Sequence, residues 1–199
     1  MLFRSAFDNY LQKYQNGAYK VEANYCKGKC YQQKKESNKA IESYLVVHNL
    51  GNSRYYENAT LEMARLYYVE LKDYVNAKKY FQILSDKAVN PESKQDALRG
   101  LVRSNYQLKD YATAYASAKE LAAMKGSSTD DKAVANLVQG KSLMLAGDTT
   151  AALESFKITA QLSKSSWGAE ARYEIAVDCF RKNDLKNTRS EEHTSELQS

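Results

Sequence analysis

At 199 residues with one Pro, 8 Gly and 27% charged residues, the chain has few helix breakers, and an all-helical fold is the first expectation. A net charge of +5 without any Lys/Arg run argues against a nucleic-acid-binding arm. No apolar run approaches the roughly 18 residues that span a bilayer, and the opening MLFRSAFDNYLQ lacks the apolar core of a signal peptide.

In chain order, residues 1–17 read as a single helix carrying Ala6 and Tyr10, the second half of a helix pair. Apolar residues then recur at three- and four-residue steps through alternating helices. First-of-pair helices, termed A, are expected over 18–34, 56–70, 92–108, 131–145 and 168–182. Second-of-pair helices, termed B, are expected over 38–48, 74–85, 111–123 and 149–162. Short joints such as Gly147-Asp148 and Asn183-Asp184 separate them, and Asn90-Pro91 and 126–130 mark breaks between pairs.

The pairs repeat. LKDY occurs at Leu71–Tyr74 and again at Leu108–Tyr111, and an acidic residue precedes an Ala by four at Glu36, Asp73, Asp110 and Asp148. Asp184 offers the same acidic signal. These acidic positions are spaced 37, 37, 38 and 36 residues apart. Helix A carries a column of mostly small residues (Gly28, Ala64, Val102, Gly140, Ala176), with Tyr31, Tyr67, Asn105, Leu143 and Cys179 three positions later. Helix B carries Ala6, Ala40, Ala77, Ala114 and Ala152, with Tyr10, Tyr44, Phe81, Ala118 and Phe156 four positions later. Helices that cross closely need a small residue at the crossing and a large one beside it.

This order of small, Tyr, Ala and aromatic positions resembles the tetratricopeptide repeat (TPR) family over about residues 6–188. The resemblance implies a right-handed solenoid of stacked antiparallel helix pairs. Residues 1–17 would be a partial repeat, 18–167 four helical hairpins and 168–188 the first helix of a fifth unit. Repeats stretched beyond 34 residues, Asn105 at a Tyr column and few Pro at repeat ends depart from the family pattern. Tyrosine-rich phrases such as NYLQKYQNGAYKVEANYCKG also look like TPR scaffolds of the bacterial cell envelope, of the outer-membrane assembly lipoprotein or Tol-associated type. That likeness implies a periplasmic or outer-membrane-associated protein, and without it a cytoplasmic one. The last eleven residues, RSEEHTSELQS at 189–199, resemble translated sequencing-adapter DNA and are expected to be non-native. With residues 1–17 opening on a B helix, the chain is expected to be an internal slice of a longer solenoid.

Candidate chemical groups are sparse. Three Cys (Cys26, Cys30, Cys179) set no disulfide framework. Cys26 and Cys30 lie one helical turn apart, but zinc wants four ligands and only His48 is near in sequence. Cys179 occupies a packing column. His48, the only His outside the tail, is expected to face solvent or cap a helix end. GKS at 140–142 lacks the preceding Gly and strand of a phosphate loop. No enzyme, catalytic residue, metal or cofactor is expected.

The remaining pattern points to binding. In a TPR superhelix the groove is lined by helix A, and the residue after each small column is Lys29, Arg65, Arg103 or Lys141, then Val177. Neighbouring groove positions add Arg99, Tyr25, Tyr68, Tyr106 and Tyr173, with Gln32, Gln107 and Met144. Cations fix carboxylates and tyrosines supply stiff contact area. The expected function is therefore non-enzymatic scaffolding, with a protein or peptide segment, acidic in character, held in a concave groove. The alternatives are a structural spacer in an envelope assembly with no groove ligand, or the TPR appendage of a larger enzyme or receptor. Neither a nucleic-acid partner nor membrane insertion of this segment is expected.

Overall fold

A computed structural model describes residues 2–182. Asp184, His193 and the adapter-like stretch 189–199 lie outside the described residues. Among the described residues the fold is all-α, with ten helices and no strand. They are α1 (Leu2–Lys13), α2 (Lys20–Gln33), α3 (Ser37–Leu50), α4 (Tyr56–Val69), α5 (Tyr74–Lys87), α6 (Pro91–Gln107), α7 (Tyr111–Ala123), α8 (Thr129–Leu145), α9 (Thr149–Leu162) and α10 (Ser166–Arg181). The chain divides into two compact units at Leu108–Lys109, so α1–α6 form one and α7–α10 the other. Within each unit every helix packs on the next in sequence, and α4 also touches α6 while α8 touches α10.

LKDY now has a physical reading. Lys72 and Lys109 sit at φ 53° and 59°, the left-handed conformation that ends a helix. The following Asp73 and Asp110 are N-caps, accepting hydrogen bonds from Asn76 N and Thr113 N at 3.0 and 3.3 Å. Asp148 caps α9 in the same way, after Gly147 at φ 86°. Glu36 stands in the acidic column behind Lys35 at φ 59°, yet makes no side-chain cap and instead pairs with Lys39 at 2.7 Å. Its longer side chain overshoots the short reach that Asp uses. The backbone N–H groups of Glu36 and Asp148 close these turns by bonding five residues back, to Tyr31 O and Leu143 O, both at 3.0 Å. The motif is thus one stop signal and one start signal fused.

The columns form the core. Ala40, Ala77, Ala114 and Ala152 are fully buried, as are Tyr44 and Phe156, and Phe81 nearly so. The Tyr44 ring lies against Gly28 and the Phe156 ring against Gly140, so closely that a Cβ on either glycine would overlap the ring. The larger Tyr column is less uniform: Tyr67 stacks on Tyr80 at 5.6 Å, whereas Asn105 is fully buried and its amide has no hydrogen-bond partner among the described residues.

His48 departs from the expectation that it faces solvent or caps a helix end. α3 runs on to Leu50, and the His48 ring is partly buried between Tyr56, stacked at 5.2 Å, and Tyr80, edge-on at 5.4 Å. His48 Nδ1 lies 2.8 Å from Thr60 Oγ1, which is also 2.8 Å from Tyr56 O, so the ring is tied by a hydrogen bond to the next helix. Burial, then Lys87 and Lys79, hold the His48 pKa below its ordinary value and keep the ring neutral.

Candidate partner-binding face

Lys29, Arg65 and Arg103 each follow the small residue of α2, α4 and α6 in the first unit. Each small residue is buried at the helix crossing, which turns the next position outward. Two of these cations already hold carboxylates from the following A helix. Lys29 Nζ lies 3.2 Å from Glu62 Oε1, and Arg65 donates to Asp96 Oδ2 at 2.9 Å. Arg65 also reaches back to Glu62 at 3.5 Å, and Arg99 meets Asp96 at 3.2 Å. The result is a ladder of alternating charge, Lys29–Glu62–Arg65–Asp96–Arg99, running across α2, α4 and α6.

The ladder is tied to the core through Gln32. Buried Tyr44 donates its hydroxyl proton to Gln32 Oε1 at 2.8 Å, and Gln32 Nε2 donates to Glu62 Oε2 at 2.7 Å. Burial alone raises a carboxyl pKa, but the Gln32 hydrogen bond and the charges of Lys29 and Arg65 outweigh it and hold Glu62 below the usual range. Burial also pushes the Tyr44 phenol up, so it remains a proton donor at any physiological pH.

In the second unit Lys141 on α8 meets two carboxylates of α10, Glu174 at 2.7 Å and Glu170 at 3.0 Å. Burial lowers an ammonium pKa, yet these two contacts raise that of Lys141 above its ordinary value. The partner carboxylates lie two or six residues before the small column, and they follow their cations by 29 to 33 residues. Sequence reading found the cations and missed the acids, although this offset was available as a signal.

Arg103 differs from the others. It is exposed on α6 and, among the described residues, has no ion pair. Beside it stands half-buried Tyr68 on α4, whose phenol burial pushes up while its hydrogen bond to Gln107 and the Arg103 charge pull it back. Tyr68 also packs on Tyr74 at 5.3 Å. At the opposite edge of this face Tyr25 stacks on Tyr55 at 4.8 Å, with Lys29 Nζ 5.8 Å from its centroid. Tyr106 is half-buried on α6, Met144 is half-buried on α8, and Tyr173 is 65% exposed on α10. Unit one therefore gathers Tyr25, Lys29, Arg65, Tyr68, Arg99, Arg103 and Tyr106, while Lys141 and Tyr173 belong to unit two.

Cys26, Cys30 and Cys179 are free thiols, each partly buried, and burial raises the Cys26 pKa away from thiolate chemistry. Among the described residues no group of three or more His, Cys, Asp or Glu is placed to hold a metal, and no helix is long and apolar enough to cross a membrane. The chain matches no known family and no curated protein.

Proposed function

We propose that the chain is a TPR-like, right-handed solenoid segment that binds a protein or peptide partner along its A helices, without catalysis. The observation that carries this reading is Arg103. The other cations of the first-unit face are satisfied within the ladder, and Arg103 stands exposed beside Tyr68 and Gln107. A partner carboxylate would take two parallel N–H···O bonds from the guanidinium while an adjacent side chain lies on the Tyr68 ring. The ladder holds its neighbours in fixed places, which limits the ordering cost on binding. Panning a displayed random-peptide library on the purified chain tests this. The reading requires acidic sequences to be enriched and to be lost on Arg103→Glu; enrichment indifferent to that substitution contradicts it.

A second reading has its own support. A ladder that neutralises its own cations also suits a spacer in an assembly such as the bacterial cell envelope, with its contacts made elsewhere on the helices. In that case no acidic peptide is retained, and substitutions on exposed B-helix positions such as Val75 affect assembly instead.

A further inference from the structure

Inside the first unit, away from the charge ladder, lies a cavity of about 650 Å³. Its walls come from the end of α3, the joint 51–55, the start of α4 and the end of α5, with His48, Asn52, Ser53, Tyr56, Lys87 and Val89 among them. Positive φ at Gly51 and Asn52 bends the chain sharply out of α3, so the joint forms one wall. The volume is that of a small-molecule site.

The groups in the walls differ in how far they are already satisfied. Glu57 is engaged: its Oε1 accepts from Val89 N at 2.7 Å and from Asn90 N at 3.4 Å. The buried-side His48 ring is neutral and tied to Thr60. Lys87 is exposed and, among the described residues, has no ion pair. Ser53 Oγ is buried, and it too has no hydrogen-bond partner among the described residues. An unpaired ammonium and a stranded hydroxyl in one cavity call for an anionic oxygen, which both can donate to. Val89, 90% exposed, and the half-buried Tyr56 ring add apolar surface to the same cavity. An inorganic anion would leave that surface wet, whereas an organic acid would cover it.

We propose that this cavity binds a small organic monocarboxylate, with its carboxylate held by Lys87 and Ser53 and its apolar body against Tyr56 and Val89. Neither Lys87 nor Ser53 belongs to the ladder of the A helices, so this site and the acidic-segment reading stand or fall separately.

Benzoate, phenylacetate and hexanoate, each compared with its neutral amide, serve as probes. They are titrated into the full isotope-labelled chain and followed by backbone amide chemical shifts in NMR. At least one acid should shift Asn52, Ser53 and Val89 saturably, with a Kd on the order of 1–10 mM for a ligand of this size. Its amide should bind at least about fivefold more weakly. Lys87→Gln, at an exposed position, should abolish that preference while leaving the amide's affinity unchanged, and Arg103→Glu should alter neither. No saturable shift at these residues with any of the three acids, an amide that binds as tightly as its acid, or a preference that survives Lys87→Gln would overturn the proposal. So would inorganic phosphate that shifts the same residues as tightly, since Lys87 would then be an ordinary counter-ion site.

Discussion

Tyr44 rests its ring directly on the backbone of Gly28, and the same relationship recurs between Phe156 and Gly140. In an exposed helix, Gly→Ala gains about 1 kcal/mol from backbone entropy. Here the added methyl meets a fully buried ring in a close-packed core. Overpacking costs about 1–3 kcal/mol and reverses the sign. Gly140→Ala should therefore lower the urea midpoint, and a raised midpoint would show that the ring moves freely.

The turn residues carry the opposite prediction. Lys72 and Lys109 hold positive φ, where a Cβ is disfavoured by about 1–2 kcal/mol. Gly147 occupies the same place without that strain. Lys72→Gly should stabilise by about 0.5–1 kcal/mol after its own entropy cost. Thermal unfolding of Lys72→Gly and of the control Lys79→Gly, inside α5, should move in opposite directions.

Asn105 buries an amide with no hydrogen-bond partner among the described residues, at the position that is Leu143 in the next pair. A stranded buried amide costs about 1–3 kcal/mol. Asn105→Val, larger by about one methylene, should raise stability by about 1 kcal/mol once the added volume is set against the removed amide. Chemical denaturation reads this directly, and a loss of stability would mean the amide has a role in the fold.

Lys141 anchors two carboxylates one helical turn apart on α10. Lys141→Met removes the cation that separates them and should cost about 1–3 kcal/mol. Adding Glu170→Gln and Glu174→Gln should recover part of that loss, because the repulsion between the two acids goes with them. A triple variant as unstable as the single one would reassign the cost to packing of the lysine stem.

His48 sets a pH dependence. Its folded pKa is lowered, so below about 6.5 the unfolded chain binds more protons than the folded one. Stability is then complete above that pH and declines as pH falls toward 5. Burial of the ring between Tyr56 and Tyr80 opposes its charged form, as do Lys87 and Lys79. Urea midpoints at pH 7.5 and 5.5 should differ for the wild type by more than for His48→Gln.

Much of the fold was legible because the same few residues mark each boundary. Asp at an N-cap, Gly or Lys at a left-handed stop and Ala at a crossing act through local backbone chemistry, so sequence alone placed the helices within a few residues. The tertiary ion pairs were less legible. For Lys29, Arg65 and Lys141 a carboxylate stands on another helix about 30 residues on, at either of two columns, and no local rule chooses between Asp96 and Glu62. His48 was misplaced for a related reason, since its partner Thr60 belongs to the next helix. Nor does composition show that one cation of the face, Arg103, lacks an ion pair among the described residues.

The most direct measurement is fluorescence anisotropy of one acidic peptide recovered by the library selection, titrated with wild-type, Arg103→Glu and Lys29→Glu chains. Arg103 has no competing ion pair among the described residues, whereas Lys29 is held by Glu62. Arg103→Glu should weaken binding at least about tenfold, the order of one charge-assisted contact, and Lys29→Glu by less than about threefold. Equal effects from both substitutions, or none from either, would contradict the account.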